Sequence, residues 1–284
     1  AIIFTLQVLC LLLIFAVVCY AREREVLHWP TGVGLLHLAA FGQSVSANGA
    51  LTQINAIQDQ SLTTAAGDIR VPMKLSSLVM QAVLSNDASA VRAQLTSPSL
   101  RAMLNLDIEP LVTGKVFGSP IEPYWHGDSP IPLVGNESLN LFVQNAQAAA
   151  VLHYGLLWLS DGPVKPTTGS IYTVRCTVAA ALVAATWVNA NLVFAQALPY
   201  GRYQVVGMRA RSANLAAARL VFPDSQWRPG VPAVNTIGGL DFDNGRYGYM
   251  GVFGEFDSTV PPTIDLLGDT DAAEFVDLDL IRTK

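Results

Sequence analysis

Hydrophobic and polar positions change character twice along the chain. Residues 1–21 (AIIFTLQVLCLLLIFAVVCYA) are apolar throughout, with only Thr5 and Gln7 clearly polar. A helix of that length spans about 31 Å, the thickness of a bilayer's hydrocarbon core. Arg22-Glu23-Arg24-Glu25 ends the run with four charges, and His28 and Trp29 follow at headgroup level. The pattern predicts a membrane or assembly helix whose anchor positions include Ile2, Leu11, Leu12, Phe15 and Val18. Arg22, Arg24 and Trp29 would sit at the membrane interface. The alternative is a cleaved leader, because Cys19-Tyr20-Ala21 is small-x-small, but no basic segment precedes the apolar run.

A second apolar stretch, residues 32–41, follows Pro30 and is too short to span a bilayer. It is expected to lie along the membrane or under the main domain. Residues 42–67 (GQSVSANGALTQINAIQDQSLTTAAG) carry little charge and many small polar residues, and read as a tether with a weak helix near 51–57.

Beyond Asp68 short runs recur between turn residues. Residues 90–96 alternate Val91, Ala93, Leu95 against Arg92, Gln94, Thr96, which is the period-2 pattern of a half-buried strand. Residues 75–84 fit a strand, with a helix as alternative, joined to 90–96 by a hairpin through Ser85-Asn86-Asp87. Further strands are expected at 138–143, 151–159, 171–178, 183–188, 192–197, 203–211, 217–222, 247–256, 263–267 and 274–281. Asp161-Gly162-Pro163, Asn189-Ala190-Asn191, Pro199-Tyr200-Gly201, Pro229-Gly230 and Asn244-Gly245 punctuate them. This spacing predicts an all-β body, a jelly-roll sandwich or two stacked sandwiches, rather than βαβ units. The expected division is 1–21 anchor, 22–67 membrane-proximal linker, 68–165 first sandwich and 166–284 second, with the seam near 161–169.

Composition sharpens this picture. Only 14% of the 284 residues are charged, against roughly 25% in ordinary soluble domains, while 51% are hydrophobic. Disordered tails and basic nucleic-acid modules are excluded. The apolar surplus calls for a membrane, neighbouring subunits or both. Residues 22–240 hold 14 basic and 12 acidic side chains, whereas 241–284 hold 3 and 10. Such polarity suits either complementary poles across subunit contacts or a solvated acidic edge, and argues against direct nucleic-acid binding through the acidic end.

Candidate chemistry is sparse. No phosphate-binding loop, dinucleotide fingerprint, zinc-protease helix or nucleophile elbow occurs. Hence no catalytic residue and no cofactor are assigned, and the chain is read as not an enzyme. His28, His37, His126 and His153 form no i, i+4 pair, and His153 reads as a hydrogen-bonded core or interface histidine. His126 lies in an aromatic loop suited to packing or a carbohydrate contact. Asp241 and Asp243 resemble the start of a calcium loop, but the twelfth position is Val252 where a bidentate Glu is needed. A turn explains the same letters, and no metal is assigned. Cys176 reads as buried and inert. Glu255 and Asp257 could serve a glycosidase only across a cleft.

Residues 198–207 (LPYGRYQVVG), 216–222 (AAARLVF), 227–230 (WRPG), 251–256 (GVFGEF) and 261–265 (PPTID) resemble coat proteins of tailless icosahedral membrane-containing DNA phages. So do 156–161 (LLWLSD) and 93–100 (AQLTSPSL). The resemblance implies a single or double jelly-roll shell subunit over an internal membrane. It implies self-association, with trimeric capsomers, and contact with lipid and other virion proteins. The apolar N-terminus departs from the usual coat pattern and also fits a membrane-anchored companion of the shell. The expected place is the virion, with the cell membrane or surface as alternative. Two other classes remain open: an extracellular pilus-like filament subunit and a membrane-anchored carbohydrate-binding or carbohydrate-active sandwich.

Overall fold

The structure, a computed structural model, describes residues 34–46, 49–65, 67–85, 90–104, 124–125, 127–212, 214–234, 245–270 and 272–284. The anchor and interface positions Ile2, Leu11, Leu12, Phe15, Val18, Arg22, Arg24 and Trp29 lie outside them, as do His126, Asp241 and Asp243. The architecture is all-β. The one helix among the described residues, α1 (Pro98–Leu104), has seven residues. Its start follows from Ser97, whose Oγ accepts the Leu100 N–H, and from Pro98 at the first helical position. None of the described helical residues forms a helix long and apolar enough to cross a membrane.

The first half contains β1 (Leu36–Val45), β2 (Thr52–Ile54), β3 (Thr64–Ala65), β4 (Asp68–Arg70), β5 (Ser77–Ser85), β6 (Ala90–Thr96), β7 (Tyr124–Trp125), β8 (Ile131–Pro132), β9 (Ser138–Asn145) and β10 (Val151–Ser160). One sheet has the order β1-β10-β5-β7, with β8 also on β5; the other has β2-β9-β4-β3, with β6 also on β9. The second half contains β11 (Tyr172–Ala180), β12 (Val188–Asn191), β13 (Val193–Phe194), β14 (Arg202–Arg211), β15 (Leu215–Val221), β16 (Gly230–Val234), β17 (Gly254–Asp257), β18 (Thr263–Gly268) and β19 (Ala272–Arg282). These form a single sheet, β12-β18-β15-β16-β14-β19-β11-β13, with β17 also on β14. Its two ends, β12 and β13, are separated in sequence by Leu192 alone, and the sheet curls into a nearly closed barrel.

One pairing scheme occurs twice. In the first half β1 pairs with β10, β10 with β5, and β5 with β7 and β8, while β2 and β6 both pair with β9. In the second half β11 pairs with β19, β19 with β14 and β14 with β17, while β12 and β15 both pair with β18. Every one of these ladders is antiparallel; β16, which pairs antiparallel with β15 and parallel with β14 and so joins the second half into one sheet, has no counterpart in the first.

The β1-β10-β5 sheet is covered on both faces. Ala39, Phe41, Val83, Leu157 and Leu159 enter a core shared with Leu139, Leu141 and Val143 of β9. Leu38, Ala40, Met80, Ala82, Leu156 and Trp158 enter a second core shared with the barrel-like sheet. Burial on both faces explains why β1, β5 and β10 lack alternation, whereas β9 and β11 alternate cleanly. The exposed edge of β1 is closed by Leu38 N–H to Arg228 O, Gly42 N–H to Asn55 O and Ile57 N–H to Ala40 O.

Several sequence expectations change. Residues 42–67 are not a tether: β1 runs to Val45, and β2 and β3 are paired strands. Residues 36–41 form a buried strand at the edge of its sheet, so of the two expectations the stretch packs within the main domain rather than along a membrane. Residues 77–85 are strand, not helix, but β5 and β6 belong to different sheets and make no hairpin ladder. Residues 183–187 are turn and coil, with β12 starting at Val188, and in the run 247–256 only 254–256 are strand.

His153 of β10 is fully buried, and neither ring nitrogen finds a partner among the described residues. The hydrogen bond expected of a core histidine is thus not formed among the described residues. Burial pushes its pKa from 6.5 down to about 4. The unfolded imidazole takes a proton below 6.5 and the folded one does not. Stability is therefore full above that pH and falls by about 3 kcal/mol as pH drops to 4. His153→Leu is expected to stabilise the fold by about 1–3 kcal/mol by removing two unmatched polar atoms. Urea unfolding across this pH range should show a flatter profile for the variant, and an unchanged slope would refute the assignment.

Candidate functional site

Where the β1-β10-β5 sheet meets the barrel-like sheet, polar groups concentrate in an otherwise apolar seam. Arg219 stands mid-strand on β15 between Ala218 and Leu220 and is 0% exposed. Its Nη1 donates to Leu38 O of β1 at 2.9 Å and to the Asp59 carboxylate, and its Nε donates to Asp265 Oδ2 of β18 at 3.0 Å. Arg228 Nη1 donates to the same Asp265 oxygen at 2.7 Å. Its backbone N–H donates to His37 Nδ1 at 3.1 Å, so the proton on that ring resides on Nε2, which donates to Asp59 Oδ2 at 3.0 Å. Burial drives the His37 pKa below 6.5, against the attraction of Asp59. Burial alone would raise the Asp59 pKa, but the His37 N–H and the Arg219 charge outweigh it and hold the carboxyl well below its ordinary range. The seam thus contains two cations, two anions and a neutral imidazole. Tyr154 Oη to Gly268 O (2.6 Å) and Trp158 Nε1 to Gly230 O (2.8 Å) add further ties between the halves.

Above this network opens a pocket of about 690 Å³. Its lining includes Asn189, Arg219 and Asp265, together with Gln58, Gln60 and Ala185 to Trp187. The Arg219 guanidinium lies 4.1 Å from the centre of the Trp187 ring.

On the outer face of the barrel-like sheet a second set of pairs crosses the strands. The register aligns Arg175, Asp277 and Arg209 on β11, β19 and β14. Both arginines donate to Asp277, Arg175 Nε at 3.2 Å and Arg209 Nε at 2.8 Å. One row further, Asp279 faces Thr173 and Gly207. Gly207 leaves space for the 246–247 backbone, since a Cβ there would stand 2.9 Å from Arg246 Cα. Asp279 collects Arg246 Nε (2.7 Å) and Nη2 (2.9 Å), Thr173 Oγ1 (2.7 Å) and Tyr247 N–H (3.0 Å). Despite burial, which opposes ionisation, the arginines hold the Asp277 and Asp279 pKa values below 3.8.

The acidic C-terminal segment is therefore neither purely a solvated edge nor a free pole. Asp265, Asp277 and Asp279 are buried and paired, mostly with arginines from earlier in the chain. Glu255 and Asp257 lie two apart on β17: Gln204 donates to Glu255, and Asp257 Oδ1 accepts from Thr259 N–H and Oγ1. Neither lines the pocket. Cys176 is buried, and burial raises its pKa to about 12. Among the described residues no group of three or more His, Cys, Asp or Glu is placed to hold a metal.

Sequence reading did not single out Asp59, Arg219, Asp265, Arg228 or Trp187, and it met His37 only as a scattered histidine. The usable signal was a lone charge inside an apolar strand, as in residues 216–222 (AAARLVF) and 263–267 (TIDLL). Compared with protein-family models, curated proteins and solved structures, the chain matches none.

Proposed function

We propose that this chain is a structural virion subunit, a double jelly roll that self-associates into a shell over a membrane. The observation that carries this reading is the pairing scheme present twice. In each half the first strand lies beside the last, the last beside a middle strand, and the second beside the penultimate. This supports a reading as two Greek keys rolled into a sandwich, an architecture suited to shells because the sheets are stiff and few edges stay open. On this reading the seam ties two such units together. Large apolar side chains at the surface, including Met73, Tyr172, Val193, Tyr200 and Tyr247, fit contacts between copies, with trimeric capsomers as the expected building block. Residues 1–21 would fasten the subunit to lipid, and no catalysis, cofactor or nucleic-acid contact is needed.

The test is light scattering and negative-stain imaging of the full chain extracted in detergent and then depleted of it. Trimers or larger oligomers that close into particles on detergent removal are expected. A monomer at all concentrations overturns the proposal, and fibres replace it with the filament reading.

A further inference from the structure

Three features of the seam pocket are unexplained by holding two halves together. Arg219 Nη2 and Trp187 Nε1 are both shielded from solvent and donate to nothing among the described residues. An unmatched buried donor is destabilising, and two occur on side chains that line the same pocket. Ala185 in the pocket wall has φ 55°, the left-handed region that non-glycine residues rarely enter. Its N–H is held there by Tyr154 Oη at 2.8 Å, so the fold imposes this conformation on the loop that carries Trp187. Backbone strain, orphaned donors and a concave surface coincide where ligands bind.

We propose that the pocket binds a neutral polyhydroxy ligand of monosaccharide or disaccharide size, with Trp187 as its movable cover. The charge balance selects neutrality. Arg219 and Arg228 are already matched by Asp59 and Asp265, and His37 is neutral, so no net positive charge awaits an anion. The free groups include both donors and an acceptor. Arg219 Nη2 and the Trp187 indole can only donate, and Gln60, whose Oε1 accepts from Arg228, keeps its amide NH2. Asn189 spends its Nδ2 on Thr263 and Asp265 and keeps Oδ1 as an acceptor. A hydroxyl group answers both kinds of partner, whereas a carboxylate or phosphate answers donors only. The cavity, about 690 Å³, falls in the range of small-molecule sites. A shift of Trp187 away from the guanidinium brings Nη2 within reach of a sugar oxygen and leaves the indole N–H to a second.

The experiment uses the full chain in a detergent without a sugar headgroup. Saturation-transfer NMR and calorimetry would be run with glucose, galactose, mannose, N-acetylglucosamine and their disaccharides, and with acetate and phosphate as the anion arm. Saturable binding of at least one saccharide at one site per chain is expected, weakened at least tenfold by Trp187→Ala and by Asn189→Ala. Gln60→Ala, a change at an exposed wall residue, should weaken it without altering the thermal midpoint, and Tyr200→Ala at the remote surface should leave it unchanged. The proposal is overturned if no saccharide in the panel binds, if acetate or phosphate binds and saccharides do not, or if binding survives all three pocket substitutions.

Discussion

Arg219→Leu should lower the unfolding free energy by about 3 kcal/mol at pH 8, the lower end of the cost of breaking a buried ion pair. The side chain is replaced by one of smaller volume, but the main loss is electrostatic. Asp59 keeps the His37 N–H and the Ser61 N–H, and Asp265 keeps Arg228 and Asn189, so neither carboxylate is left bare. What disappears is the one cation that touches both and also bonds Leu38 O across the seam. The effect should depend on pH in a specific sense. Arg219 is one of the charges that keep His37 from protonating. Without it, His37 gains a proton more readily, on Nδ1 and in exchange for the Arg228 N–H bond, and the imidazolium beside Asp59 partly replaces the lost charge. The folded variant then takes up a proton more readily than the wild type as the pH falls, so its deficit shrinks toward acid. Urea unfolding at pH 8 and pH 5 measures this. Adding His37→Gln should make the deficit equal at the two pH values; a deficit that grows with acid would show that the seam is not electrostatically coupled.

How much of this was legible in the sequence depends on how many faces of a strand are buried. Strands with one wet face kept their period: Ala93 and Leu95 are buried while Arg92 is exposed, as the alternation in 90–96 implies. The strand β5 is buried on both sides, and its continuous apolar run left helix and strand indistinguishable by period alone. The polar, small-residue stretch from Gly42 looked like a tether because small residues also mark flexible segments. Here smallness serves packing. A Cβ on Gly42 would stand 2.8 Å from the Tyr154 ring and 2.9 Å from Ile57. The repeated pairing scheme resides in which strands meet, so strand spacing anticipated two stacked units but not their pairing.

The candidate site was hidden for a related reason. Its members come from positions 37, 59, 187, 219, 228 and 265, which only the stacking of two halves brings together. Charge arithmetic did sense something, since the last 44 residues hold 10 acids and 3 bases. The natural inference was a surface pole. Yet in a chain with 14% charged residues, a charge flanked by apolar neighbours within a strand is better read as half of a buried pair. Asp277 and Asp279, in residues 276–280 (VDLDL), follow that rule, as does Arg219.

Asp279→Ala is expected to be the most damaging single change in the barrel-like sheet, at about 3–5 kcal/mol. Asp279 is 0% exposed and Arg246 4% exposed, so truncation takes both carboxylate contacts from a buried guanidinium and leaves it the weaker contacts to Thr173 Oγ1 and the Tyr247 ring. Thr173 Oγ1 and the Tyr247 N–H lose their acceptor in the same step. The consequence should spread along the chain: the 246–248 segment rests on Gly207, and Gly248 O accepts the Thr167 N–H at 2.8 Å. Hydrogen exchange should therefore rise at residues 245–250 and at Thr167 while β1, β5 and β10 stay protected. Removing both charges in Arg246→Met with Asp279→Leu should recover most of the lost stability, because the pair then no longer needs desolvated partners. If the double variant is as unstable as Asp279→Ala alone, the contribution comes from the Thr173 and Tyr247 hydrogen bonds, and the ion pair is not what secures this segment to the sheet.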